Sequence, residues 1–201
     1  MDNSLHFSSG ENENYTPISF LIRVCEFFGG DIDLDPCSNS LENPHCPARL
    51  HYTKALNGVE LPWFGNVFVN PPYSRESLKP FVDKAIQEFE EGRAKQVLLL
   101  VPARTDTKWH LSLKDYFRCY LTGRLKFENP ANKGNSAPFP SVLFYLGRDS
   151  EKFGQYWQPY GEVLNNLSAT PKPGFDKKAY QREYMRKMRS RACSAKGFAK
   201  C

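Results

Sequence analysis

Residues 68–74 read FVNPPYS, an apolar run that ends in an asparagine, two prolines and a tyrosine. A hairpin more often turns on Asn-Gly or Asp-Gly, and a helix entry needs only one proline. Two consecutive prolines stiffen the backbone and remove two amide donors, so the carbonyls there have no neighbouring N–H groups competing for a ligand. Such a turn is built to accept hydrogen bonds. A planar exocyclic amine, as on adenine, is a poor nucleophile because its lone pair is delocalised into the ring. Two acceptors that draw both N–H hydrogens out of conjugation correct this, and the side-chain oxygen of Asn70 with the carbonyl of Pro71 is the natural pair. Tyr73 could then stack on the base. Asn-Pro-Pro also serves in plain surface turns, where Asn caps and proline stiffens. Position in the fold separates the two readings.

The elements around the turn supply that position. Thr16 reads as an N-cap with Pro17 at the first helical position, and Ile18, Leu21, Ile22, Cys25 and Phe28 follow at helical spacing until Gly29 and Gly30, which predicts a helix over 17–28. Ile32 and Leu34 alternate with Asp31, Asp33 and Asp35, a short strand expected to end at Asp35-Pro36. The pattern is weak from 39 to 62. Val67, Phe68 and Val69 form a short buried strand leading into the NPPY turn. Leu78, Phe81, Val82, Ala85, Ile86 and Phe89 then mark a helix over 76–91, and the apolar run 97–103 has the character of a central parallel strand. Strand, helix and strand in succession make a right-handed βαβ unit, which sets the NPPY turn and the loop after Val101 on the same carboxyl edge of a sheet. Residues 107–117 read as a helix, 120–121 with 125–127 and 142–146 as strands, and the Gly/Pro-rich stretch 128–141 as a loop.

Composition bounds the rest. The chain has 201 residues, 40% hydrophobic, which suits one core-forming domain with tails. Residues 1–14 are polar without a basic start or apolar core, and no window approaches the roughly 18 apolar residues of a membrane span, so a soluble, cytoplasmic protein is expected. The six cysteines form no CxxC pair, and reduced thiols are the default. Cys37, His45, Cys46 and His51 fit no common zinc spacing, and no metal is expected. Ten Lys or Arg stand against two acids, Asp176 and Glu183, over residues 170–201; that surplus of eight leaves the remainder at −3 out of a net +5. The expected organisation is a polar N-terminus over 1–14, a catalytic domain over 15–165, a linker over 166–175 and a basic C-terminal helix or tail over 176–201. Such a tail can hold phosphate or be an ordinary solvated surface.

Two further groups can do chemistry. Asp35, at a strand end, can meet an ammonium group or cap a turn. Arg104, Thr105, Asp106, Trp109 and His110 follow the central strand directly. They read either as a pocket wall and phosphate clamp or as a capped helix start with Trp109 in the core.

FVNPPYS resembles the [DNS]PP[YFW] motif of amino methyltransferases that use S-adenosylmethionine. Tyr15-Thr16-Pro17, DLDPCS, LPWFGNVFVNPPYS, VLLLVPARTDTKWH, GRLKF and APFPS, in that order over about two thirds of the chain, are similar to the phage-type, Dam-like DNA N6-adenine methyltransferases. The resemblance implies an α/β, Rossmann-like S-adenosylmethionine-dependent methyltransferase fold with a mostly parallel central sheet flanked by helices. It implies that Asn70, Pro71, Pro72 and Tyr73 form the pocket for the target adenine. It places S-adenosylmethionine against Asp35, Pro36, Cys37 and Ser38 with Thr16 and Pro17 beside it, although the glycine-rich turn usual there is absent from DPCSNS. It makes Arg104, Thr105, Asp106, Trp109 and His110 a wall of the substrate pocket. It implies a site-specific enzyme, phage or prophage encoded, acting on double-stranded DNA by base flipping at a cost of a few kcal/mol. Phosphate contacts from Arg104, Lys133, Lys177, Lys178, Arg182, Arg186, Lys187 and Arg189 would help offset that cost. His110 need not act as a base, because an amine undergoing methylation turns acidic and can lose its proton to solvent.

Two other functions compete. The same acceptor pair can hold a base amine of RNA or a glutamine amide of a protein, and a non-catalytic DNA-binding protein would use only the basic tail. The ordered segments favour the DNA enzyme.

Overall fold

The computed structural model describes residues 15–128 and 137–164, together with Arg186. Helix α1 (Ile18–Phe28) leads to β1 (Ile32–Ser38) and β2 (Ala48–Thr53), and then to β3 (Gly65–Val69), α2 (Arg75–Glu90) and β4 (Ala94–Pro102). A short α3 (Lys108–Ser112) precedes β5 (Phe117–Leu121), β6 (Ser141–Leu146), α4 (Ser150–Trp157) and β7 (Gly161–Leu164). The strands form one sheet in the order β2-β1-β3-β4-β6-β5-β7.

The first four strands pair in parallel, whereas β6 pairs antiparallel with β4 and β5, and β7 pairs antiparallel with β5. The sheet is therefore mixed, its three parallel pairings matched by three antiparallel ones, and the expectation of a mostly parallel sheet holds only over its first half. The reason lies in the connections. Helix α2 crosses over from β3 to the parallel β4, and β4 and β5, with α3 between them, both oppose β6 and so run the same way; it is the return from β5 to β6 that reverses the chain.

Alternate side chains of each central strand enter two separate apolar layers. Val67, Val69, Leu99 and Val101 meet Leu78, Val82, Ala85 and Phe89 of α2 on one face. Phe68, Leu98 and Leu100 meet Phe20, Leu21, Val24 and Phe27 of α1 with Phe153 and Trp157 of α4 on the other. Continuous apolar runs in β3 and β4 are what a sheet covered on both faces requires.

Four local readings change. Thr16 does not cap α1: Pro17 stands at the cap position before the first helical turn and makes no side-chain capping bond. Strand β1 runs beyond Asp35-Pro36 to Ser38, with a shift of its register against β2 between Asp35 and Ser38, where proline has no N–H to contribute. The helix expected over 107–117 stops at Ser112, because Phe117 and Cys119 are drawn into pairing with β6. Residues 125–127 form no strand. Instead Leu125 accepts from the amide of Ala137, and Glu128 makes an isolated antiparallel bridge to Tyr15, N···O 2.9 and 3.0 Å. Strands β2 and β7 and helix α4 had no expectation attached. The expected N-terminus, linker and most of the basic tail lie outside the described residues.

Candidate active site

Strands β1 and β3 are neighbours that share the pair Leu34 and Val67. The chain reaches β2 on one side of β1 and β3 on the other, so the carboxyl ends of β1 and β3 flank a topological switch point, where open α/β sheets bind ligands. A cavity of about 580 Å³ opens there. Asp35, Pro36, Cys37 and Ser38 enter it from β1, and Asn70, Pro71, Pro72 and Tyr73 from the turn after β3. Thr16 reaches it from the segment before α1, and Pro17 is not among its walls. The two residue groups read from DLDPCS and FVNPPYS, 35 positions apart at Asp35 and Asn70, thus share one cavity.

Asn70 stands where β3 stops. Its Nδ2 donates to Thr16 Oγ1 at 3.0 Å, and its Oδ1 accepts from the Tyr73 hydroxyl at 2.6 Å. The Tyr73 ring stands edge-on to Phe139 at 5.3 Å and to Phe127 at 6.1 Å. Ser74 ends the turn by accepting from the Ser77 amide, which caps α2 and fixes where the helix begins.

Asp35 is only 6% exposed. Burial pushes its carboxyl up to about 7, although the Cys37 amide, bonded to Oδ1 at 2.9 Å, and the Ser38 hydroxyl both favour the ionised form. Burial raises the Cys37 thiol as well, with Asp35 adding to it, so this cysteine lines the cavity as a neutral group. A buried carboxyl whose pKa no cation among the described residues lowers is an acid suited to meeting an ammonium group brought by a ligand.

The segment after β2 was not expected in the site. Thr53 at the end of β2 and Lys54, Asn57, Gly58 and Glu60 after it line the cavity, as do Ser77, Pro80 and Phe81 of α2. Asn57 holds a left-handed backbone with φ 54°, and Trp63 pins the loop by donating its indole N–H to the Gly58 carbonyl at 2.8 Å. A Cβ on Gly58 would lie 2.1 Å from the Pro36 carbonyl oxygen, so only glycine lets this loop reach the end of β1. The Asn57-Gly58 dipeptide was the readable signal. It marks a turn, but not one that faces a ligand.

The group after β4 behaves differently. Arg104, Thr105 and Asp106 are exposed, and Thr107 rather than either of its predecessors caps α3. Trp109 is buried in the layer beneath α2. His110 is 7% exposed, lies 3.2 Å from the Tyr120 hydroxyl through Nε2 and edge-on to Phe144, and is held below the usual imidazole range by burial and by Arg118. None of the five lines the cavity. Lys133, Lys177, Lys178, Arg182, Lys187 and Arg189 lie outside the described residues, and Arg186 is exposed.

His45 donates through Nε2 to the Thr16 carbonyl, 2.6 Å away, and His51 donates through Nε2 to the Cys46 carbonyl at 2.8 Å. Among the described residues no three His, Cys, Asp or Glu side chains are arranged to hold a metal ion, and Cys25, Cys37, Cys46 and Cys119 are free thiols. No helix among them is long and apolar enough to cross a membrane.

A seven-stranded mixed sheet flanked by helices, with its cavity at the ends of β1 and β3, has the arrangement of a methyltransferase-like α/β fold. The chain belongs to the DNA N-6-adenine-methyltransferase (Dam) family, whose model matches residues 8–149. Comparison with curated proteins gives no match, and neither does comparison with solved structures.

Proposed function

We propose that this protein transfers a methyl group from S-adenosylmethionine to the exocyclic N6 amino group of adenine within double-stranded DNA, at sites of defined sequence. Family membership supports adenine in DNA as the acceptor. The observation that carries the assignment is the pairing of Asn70 and Asp35 across one cavity, an acceptor for an amine on β3 and a buried acid on the adjacent β1.

The residues present fit the cofactor. A cavity of about 580 Å³ has room for a nucleoside with an amino-acid arm, and Asp35 is a buried carboxyl that an ammonium group would return to its ionised form. Pro36, Cys37 and Ser38 with the loop carrying Asn57, Gly58 and Glu60 would hold the remainder. Bound there, S-adenosylmethionine supplies a methyl group on a positively charged sulfur.

The protein's own contribution is orientation and hydrogen-bond acceptance. Asn70 Oδ1 and the Pro71 carbonyl take the two hydrogens of the amine, which localises its lone pair for attack. Tyr73 offers its ring to the face of the extruded base once its hydroxyl has left Asn70. The methylated nitrogen is acidic and gives up its proton to water. His110 is buried elsewhere in the fold and takes no part.

The test is nucleoside mass spectrometry on adenine-containing duplex DNA incubated with the protein and S-adenosylmethionine, beside the Asn70→Ala variant. N6-methyldeoxyadenosine formed by the native chain and not by the variant is the expected result. Cofactor binding without any methylated DNA base would move the acceptor to RNA or protein, and absence of both would end the enzymatic reading.

A further inference from the structure

Thr16 is the residue that helix-entry chemistry would use as a cap, since threonine directly before Pro-Ile in front of an amphipathic run is a standard N-terminus. Yet the N-terminus of α1 has no side-chain cap, and the Thr16 hydroxyl, on a residue 4% exposed, is turned to Asn70 instead. Capping at such a position stabilises a helix start. The chain forgoes that stabilisation and spends the hydroxyl on the amide of Asn70.

We propose that Thr16 is a positioning residue for the transfer reaction: its hydroxyl accepts the Asn70 Nδ2–H and so holds the amide with Oδ1 toward the amine of the target base. The inference rests on the reading of this cavity as an amine-methylating site. Its logic comes from the two ends of an amide. Tyr73 and Thr16 both carry hydroxyls, which can donate or accept, so the amide is satisfied in either orientation while Tyr73 occupies one end. A base amine is a donor. Once it takes the place of the Tyr73 hydroxyl, only the orientation with Oδ1 toward it is attractive, and Nδ2 then needs an acceptor on its far side. Thr16 Oγ1 is that acceptor, 3.0 Å away. A turned amide would present N–H to N–H and stop the reaction.

The surroundings hold Thr16 for this task. Its carbonyl is bonded to His45 Nε2 at 2.6 Å, the His45 ring stacks on Tyr15 at 5.1 Å, and the Tyr15 backbone is bridged to Glu128. The segment is anchored on both sides of the hydroxyl.

Three readouts test the idea: kcat and KM on duplex DNA, the dissociation constant for S-adenosylmethionine, and the Asn70 side-chain amide resonances, assigned by their loss in Asn70→Asp. Thr16→Val keeps the shape and removes the acceptor; Thr16→Ser keeps the hydroxyl. Expected for Thr16→Val is a kcat lowered roughly tenfold to a hundredfold, the range that small misplacements of a reacting group produce, with cofactor affinity within about twofold of native. Its Asn70 amide protons should also exchange faster with solvent, and Thr16→Ser should restore both rate and protection. A parallel loss of kcat and cofactor affinity would make Thr16 a cofactor contact and overturn the proposal, as would amide resonances unchanged in Thr16→Val. A native chain that methylates no DNA base would remove the adenine reading, while the amide resonances would still decide whether Thr16 orients Asn70.

Discussion

The Tyr73 hydroxyl donates to Asn70 Oδ1 at 2.6 Å, so the oxygen proposed to accept an incoming amine already carries a donor of the protein's own. Burial also pushes the Tyr73 phenol well above its ordinary range, which keeps it a donor throughout the accessible pH scale. Asn70 Oδ1 thereby avoids the penalty of an unsatisfied polar group, and on the proposed function the substrate amine would have to displace this bond.

Removing the hydroxyl should favour the substrate. Tyr73→Phe keeps the ring against Phe139 and Phe127 but ends the competition for Oδ1. A hydrogen bond of this kind is worth about 1 kcal/mol, so KM for DNA should fall by up to about fivefold at similar kcat. Tyr73→Ala should instead lower kcat/KM by tenfold or more, since base stacking on an aromatic face is worth about 1–3 kcal/mol. Initial rates on one duplex substrate compare the three proteins directly.

As the proposed partner of the cofactor's ammonium group, Asp35 should make cofactor binding depend on pH. With its carboxyl near 7, the folded protein holds a proton at lower pH that an ammonium-bearing ligand must expel. Affinity for S-adenosylmethionine should rise about tenfold per unit between pH 5.5 and 7 and level off above, and Asp35→Asn should abolish that slope. Calorimetry in buffers of different ionisation heat would also show a proton released on binding by the native chain only.

The same group acts on stability in the opposite direction. An unfolded Asp35 ionises near its ordinary value of 3.8, while the folded one keeps its proton to about 7. Over that window the native state binds more protons, so its stability contribution is complete below pH 4 and is lost as pH rises toward 7, by a few kcal/mol. Asp35→Asn should flatten this part of the curve of denaturant midpoint against pH.

Gly58 should tolerate no side chain. Gly58→Ala places a methyl 2.1 Å from the Pro36 carbonyl, which is backbone and cannot swing aside. The loop must retreat from β1, at a cost of about 1–3 kcal/mol, and cofactor affinity should fall with it. Thermal melts with and without S-adenosylmethionine separate the two effects: the variant should lose most of the ligand-induced rise in Tm.

Much of this site could be read from residue types because its two halves are local. Asn70 to Tyr73 follow a buried strand and precede the strongest amphipathic helix in the chain, so periodicity alone set their place at a strand end. Asp35 was similarly marked by the Ile32–Leu34 alternation ahead of it. The wall formed by Lys54, Asn57 and Gly58 was not legible, because β2 is an edge strand with one fully buried residue, Tyr52, and shows no alternation for a pattern to catch. Trp109 and His110 followed an apolar strand and read either as pocket residues or as a capped helix start with Trp109 in the core; both are buried and neither lines the cavity, a choice that only the long-range packing decides. Thr16 carried the local signature of a cap, and its partner, 54 positions away, could not be inferred from neighbours.

The bridge between Tyr15 and Glu128 also bears on how the protein acquires its activity. It joins the segment that carries Thr16 to the one that carries Phe127, a partner of the Tyr73 ring, and so couples residues more than one hundred positions apart. Closing a loop of that length is paid in chain entropy before any contact rewards it, and such contacts form late in folding. During synthesis the strands holding Asp35 and Asn70 are complete well before Glu128 has emerged. A nascent chain therefore carries the residues of the proposed acid and amine acceptor while the bridge that anchors the Thr16 segment is still missing, and catalytic competence should appear in a single late step.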